Sequence, residues 1–157
     1  MKYLSTLLLS LALAGQAVHA DDLMDNGDLA AGSDLGEPII ITLLPIGSGQ
    51  QAVIGQQGTG NRAAIDQDGQ ALLGRIVQSG SAQEAFILQQ GSDLMALINQ
   101  QGNGNSASIT QSGSSNRAQI DQIGNGNSAS IEQAGTGLSS TVTQAGNGQH
   151  VQITQYR

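Results

Sequence analysis

The 157-residue sequence contains no cysteine, no tryptophan, one phenylalanine, two tyrosines and two prolines, and only 11% of its residues are charged. Without cysteine there is no disulfide framework and no thiolate to bind a metal or attack a substrate. An aromatic content of 2% leaves too little large side-chain volume for an ordinary single-domain core, which argues against a compact enzyme. Basic residues are scarce too. Lys2 and four arginines (Arg62, Arg75, Arg117, Arg157) stand against twelve acids, a net charge of −7 that disfavours binding to nucleic acid. Disorder does not follow from these absences, because charge of either sign is rare and the aliphatic residues are regularly placed. A regular structure of small side chains, 22 of them glycine, is what the composition favours.

Long hydrophobic runs are also missing. The run from Leu4 to Ala14 is too short to span a bilayer, which takes about 20 apolar residues. Preceded by Lys2 and followed by Val18-His19-Ala20, it reads as part of a secretory signal over residues 1–20, so an exported, soluble chain is expected. Residues 21–45 read as a flexible acidic leader. Asp21, Asp22, Asp25, Asp28, Asp34 and Glu37 come with no base, as in a solubilising linker or an address for secretion machinery. The leader ends in Pro38-Ile39-Ile40-Ile41-Thr42-Leu43-Leu44-Pro45, whose length and flanking prolines suit a short edge strand.

From there to residue 157 one pattern repeats. Gln recurs every 11 residues, at Gln56, Gln67, Gln78, Gln89, Gln100, Gln111, Gln122, Gln133, Gln144 and Gln155. Two residues before each stands Ile54, Ile65, Ile76, Ile87, Ile98, Ile109, Ile120, Ile131, Val142 or Ile153. Two residues after come Gly58, Gly69, Gly80, Gly91, Gly102, Gly113, Gly124, Gly135 and Gly146. Four before lies a small or β-branched residue: Ala52, Ala63, Gly74, Ala85, Ala96, Ala107, Ala118, Ala129, Ser140 or Val151. Spacings of two place these side chains on one face of an extended strand, because successive strand residues alternate sides. A helix would need spacings of three and four. Each unit is therefore expected to be a strand of about five residues and a glycine turn, often Gly-x-Gly-Asn as at Gly58 to Asn61, where Gly and Asn tolerate positive φ.

The units alternate with a doubled period of 22, since Leu72 and Leu94 take the place that Asn61, Asn105 and Asn127 hold elsewhere. Two units per coil predict an all-β fold: a β-solenoid of five strand-turn-strand coils with two facing parallel sheets, over 46–67, 68–89, 90–111, 112–133 and 134–155. Domain 46–157 would then have a thin core of Ile against Ala, with Gln over Gln and Asn over Asn in amide ladders along the stack, as in cross-β structure. Val53, Leu73, Val77, Met95 and Leu97 should face outward from one sheet and Phe86 and Leu88 from the other, while later coils expose Ser and Thr. Arg62 and Glu84 share an outward column and should pair. The pattern runs to Gln155 without the polar capping repeat that closes most solenoids, so an open strand edge should let further chains stack head to tail.

No catalytic, cofactor or metal constellation emerges. His150 falls on an outward strand position, the serines have no placed base, and Asp66, Asp68, Asp121 and Glu132 flank ladder Gln residues, where outward carboxylates limit sideways aggregation. Gly58-Thr59-Gly60 lacks the third glycine and the helix of a dinucleotide site.

Gln-x-Gly-x-Gly-Asn-x-Ala-x-x-x-Gln in five tandem coils behind a secretory signal resembles the curlins, the subunits of bacterial functional amyloid. Gln51-Ala52-Val53-Ile54-Gly55-Gln56, the Leu72-Leu73 pair and Gly113 to Gln122 resemble the minor subunit in particular. The resemblance implies a nucleator held at the outer membrane by curli secretion and accessory proteins. It would present a cross-β template to the major subunit in the fimbrium-like extracellular fibres of biofilm and adhesion. The acidic leader and a last coil of little basic charge depart from the minor type. The major subunit, and a secreted solenoid whose flat face binds a surface without polymerising, stand as alternatives.

Overall fold

The computed structural model describes residues 49–157, and all the regular structure in them is strand. The signal, the acidic leader and the edge strand expected over residues 1–45 lie outside the described residues. The strands are β1 (Gln50–Thr59), β2 (Arg62–Ser81), β3 (Glu84–Asn103), β4 (Ser106–Ser114), β5 (Arg117–Asn125), β6 (Ser128–Thr136), β7 (Ser139–Ala145) and β8 (His150–Tyr156).

Every pairing is parallel and joins residues 22 apart, from Ala52 with Gly74 to Gln133 with Gln155. One side of the solenoid stacks β1, the second half of β2, the second half of β3, β5 and β7. The other stacks the first half of β2, the first half of β3, β4, β6 and β8. The architecture is thus the expected β-solenoid of about five coils with two parallel sides, each residue standing on its equivalent one coil away.

Two expectations about the strands need correction. They run 7 to 10 residues rather than five, and β2 and β3 continue for 20 residues each through a corner. Glycine bends the chain without ending the strand, because the coil above bends identically and backbone pairing continues around the corner. The coil frame also begins later, at 50–70, 72–92, 94–114, 117–136 and 139–156, since each Gln sits within a strand rather than at the close of a coil.

Inward positions follow the period-two pattern. Ile76, Ile87, Ile98, Ile109, Ile120, Ile131 and Val142 are buried against Ala85, Ala96, Ala107, Ala118 and Ala129. Each such Ile contributes about 1.5–3 kcal/mol by leaving water. Leu72 and Leu94 fill corner positions and are also buried.

On the outer face Leu73, expected to be exposed, is 1% exposed. Gln51 and Met95 stand on either side of it in the column, so its rung neighbours cover it along the axis. Val53, Val77, Leu88, Met95 and Leu97 are half-buried for the same reason, and only Phe86 of the expected outer apolar set is exposed, at 47%.

Candidate polymerisation interface

The Gln side chains form two continuous ladders. On one side Gln56 Nε2 donates to Gln78 Oε1 at 2.6 Å, Gln78 to Gln100 at 2.8 Å, Gln100 to Gln122 at 2.8 Å and Gln122 to Gln144 at 2.7 Å. On the other, Gln67 donates to Gln89 at 2.7 Å, Gln89 to Gln111 at 3.0 Å, Gln111 to Gln133 at 2.9 Å and Gln133 to Gln155 at 2.9 Å. The second Nε2 hydrogen crosses the core to the backbone: Gln78 to Arg62 O, Gln89 to Leu73 O, Gln100 to Glu84 O, Gln122 to Ser106 O. One amide thereby ties the two sides of the solenoid together and its own rung to the next. A buried amide left without partners costs about 1–3 kcal/mol, so each Gln requires the one above it.

All eight ladder bonds run the same way, donor toward the higher-numbered coil. The first rung is therefore left with acceptors, as Gln56 Oε1 and Gln67 Oε1 receive no donor among the described residues. At the far end Gln155 Oε1 already accepts from Gln133 Nε2 and from Ser140 Oγ, at 2.9 and 2.7 Å.

The corners contain two glycine columns with different requirements. At Gly58, Gly80, Gly102 and their equivalents φ lies between 109 and 140°, and a Cβ built on Gly102 would fall 2.0 Å from Gly124 O. No other residue fits there. Two residues on, φ is 64 to 69° at Gly60, Gly104, Gly126, Gly137 and Gly148, but the same place is held by Ala71, Ala82, Asp93 and Ser115 at 53 to 55°. Those four were missed because Ala and Ser do not signal positive φ and a single Asp signals it only weakly. The signal available was the column itself, in which five of nine residues are glycine.

Asn has another role than the positive φ expected of it. Asn105 Nδ2 donates to Gln101 O and to Gly124 O, and its Oδ1 accepts from Asn127 N; Asn61, Asn116 and Asn127 bind likewise. The buried Asn residues thus clamp backbone to backbone instead of forming an amide ladder, and only the exposed Asn103 and Asn125 pair amide to amide, at 3.2 Å. Gln83 stands in the Asn place and donates to Ser79 O and Gly102 O, yet its buried Oε1 has no partner. One extra methylene carries the oxygen past the Asn105 amide it should accept.

Ends and interior differ sharply. Gln78 through Gln144 and Ile76 through Ile131 are buried in their columns, Ile65, Gln67, Ile153 and Gln155 are half-buried, and Ile54 and Gln56 are exposed. β1 and β8 are each paired along one edge only. Outside, Arg62 Nη1 meets Glu84 Oε1 at 3.1 Å, an exposed pair worth about 0–1 kcal/mol. Tyr156 donates its phenol to Glu132 at 3.3 Å, and the charge of Glu132 pushes the Tyr156 pKa above its ordinary value. Asp66, Asp68 and His150 face solvent, and no three metal-ligating side chains cluster among the described residues.

The curlin associated repeat family model matches residues 71–102, 93–124, 102–135 and 124–156, together more than half of the chain. The chain belongs to the curlin family. No curated protein and no solved structure matches it. The repeats of this curlin are those of a curli-type structural amyloid subunit, a class that assembles with other curlin subunits into extracellular curli fibres. The matched residues begin in the second coil. Coil 50–70 lies ahead of them, although it keeps Gln, Ile and Gly in every inner column.

Proposed function

We propose that this curlin is the minor, nucleating subunit, which offers a preformed rung to the major subunit at the cell surface and so starts fibre growth in the biofilm matrix. The observation that carries the proposal is the first rung. Ala52, Ile54 and Gln56 are in phase with the buried core below them and yet exposed, so a strand with matching small, Ile and Gln residues gains burial and a ladder bond on arrival. Secretion and accessory proteins of the outer membrane are the partners that would hold the chain there. Trace amounts of the purified chain added to soluble major curlin should shorten the thioflavin lag phase; an unchanged lag overturns the nucleating role.

The major subunit is a second reading, favoured by the unbroken 22-residue register through all five coils. A major subunit would form long fibres alone at the same concentration. A nucleator acts at ratios of one to many.

A further inference from the structure

One corner of the solenoid collects a reactive dipeptide that the inner columns do not use. Asn103-Gly104, Asn125-Gly126 and Asn147-Gly148 follow one another 22 residues apart, so three Asn-Gly pairs stand in one column. A fourth, Asn26-Gly27, lies outside the described residues. We propose that this column is a site of spontaneous covalent modification, where asparagine is converted to aspartate or isoaspartate when the corner lifts from the coil before it. Stacking holds the reaction back, so the corner records how long a chain has stood unstacked. The proposal rests on the solenoid fold alone and applies equally to a minor or a major subunit.

Both reacting groups are present, and the stack ties both. Asn103, Asn125 and Asn147 are exposed, and a Cβ built on Gly104, Gly126 or Gly148 meets nothing within 4 Å, so water reaches the corner and a five-membered ring has room there. The nucleophile is the glycine nitrogen, which no side chain screens. In the stack Gly104 N donates to Ser81 O, Gly126 N to Asn103 O and Gly148 N to Asn125 O, each at 2.9 Å. The electrophile is the asparagine Cγ, whose Oδ1 is also held. That of Asn103 accepts from the Ser81 hydroxyl at 2.6 Å, that of Asn125 from Asn103 N and Nδ2 at 3.0 and 3.2 Å, and that of Asn147 from Asn125 N at 2.8 Å. Attack requires these bonds to part, which local opening of an exposed corner allows without global unfolding. Asn105 and Asn127, two residues on, each precede a serine, but they are buried and bonded to backbone through both Nδ2 and Oδ1.

In an opened corner Gly126 N gives its proton to solvent and attacks Asn125 Cγ. The new C–N bond closes a cyclic imide, and the bond from Cγ to Nδ2 breaks to release ammonia, which takes up an equivalent proton. Water then opens the imide. Attack at Cγ leaves aspartate, and attack at the main-chain carbonyl leaves isoaspartate, with one more methylene in the backbone. One water is consumed and one ammonia released, with no oxidant or reductant. Either product carries a carboxylate into the stack, and at 103 and 125 together it sets two like charges where an amide met an amide. A chain left unstacked is thereby marked by charge and afterwards holds that corner less firmly.

Peptide mapping by mass spectrometry, with isoaspartate identified by enzymatic methylation, tests the proposal on the full chain kept folded or held unfolded in urea at mildly alkaline pH. Unfolded, Asn103, Asn125 and Asn147 should be converted at least about fivefold faster than Asn105 and Asn127. Folded, conversion at Asn103 and Asn125 should fall by at least about tenfold. Gly126→Ala, a residue the same corner already accepts at Ala82, should slow conversion of Asn125 at least about tenfold in the unfolded chain and leave Asn103 at its wild-type rate. Asn103→Asp combined with Asn125→Asp should speed hydrogen exchange at Gly126 N at least about threefold at neutral pH and match wild type once both carboxylates are protonated, below about pH 3. Equal conversion in the folded and unfolded chains, an undiminished rate at Asn125 in Gly126→Ala, or exchange unchanged by the two aspartates overturns the proposal.

Discussion

Residues 50–115 and residues 116–156 share the same inner columns and differ at their corners and on their outer faces. In the first region four left-handed corner positions are held by Ala71, Ala82, Asp93 and Ser115; in the second all three are glycine, at 126, 137 and 148. The first carries Val53, Val77, Phe86, Leu88, Met95 and Leu97 outward before giving way to Ser106, Ser108 and Thr110, and the second carries Ser128, Ser130, Thr141, Thr143 and Thr154 with Ile123 as its one exposed large aliphatic. A side chain in the left-handed region costs on the order of 1–2 kcal/mol. Inner columns thus hold the stack together equally along the solenoid, whereas the corners set how readily each part opens. The first region should be the earlier to open in native-state hydrogen exchange.

The largest effect should come from removing what the two regions share. Ile131→Asp puts a carboxylate into a column with no cation and should destabilise coils 117–156 by more than about 4 kcal/mol, measured by chemical denaturation. Ile54→Asp, at an exposed end of the same kind of column, should cost less than about 1 kcal/mol. Similar losses at both sites would contradict the open first rung.

Next comes the orphaned amide. Gln83→Asn should restore the acceptor that Asn61 and Asn127 supply, raising stability by about 1–2 kcal/mol and slowing exchange in the first region. No gain would mean that Gln83 Oε1 finds water.

Corner swaps should sharpen the comparison further. Ala82→Gly and Ser115→Gly should each stabilise by about 1 kcal/mol, and Gly126→Ala, where a Cβ meets nothing within 4 Å, should destabilise by about as much. With both changes the two regions should exchange at similar rates. The smallest effect is at Tyr156. Its raised pKa means that the protonated phenol is favoured beside Glu132, so the contribution is present below the ordinary value of 10.0 and is lost as pH rises beyond it. Hydrogen exchange should show the last rung fraying at high pH while the first is unaffected.

Much of this was legible in the sequence because the inner face is set by a simple alternation: Ile109, Gln111 and Ala107 point inward for the same reason at every unit. What escaped was set by neighbours in the stack. Ala71 and Asp93 hold positive φ because the residues before and after each are paired to the neighbouring coil and leave it as the unpaired corner, which no local preference reveals. β2 and β3 run through their corners because the adjacent coil does, and Leu73 is covered by side chains 22 residues away. The Asn clamp was hidden because a buried side-chain bond to backbone and a ladder between side chains leave the same mark in the sequence.

The inner columns repeat every 11 residues, but the fold repeats every 22. A strand that arrived half a coil out of place would still find Gln over Gln, Ile over Ile and Gly over Gly. Only the corners could reject it, where Asn105 and Asn127 clamp one arc and Leu72, Leu94 and Leu138 fill the other. Those few residues are the proofreading of an assembly whose core cannot tell its two sides apart, and Asn116, standing among the leucines, marks the place where such an error would pass most easily.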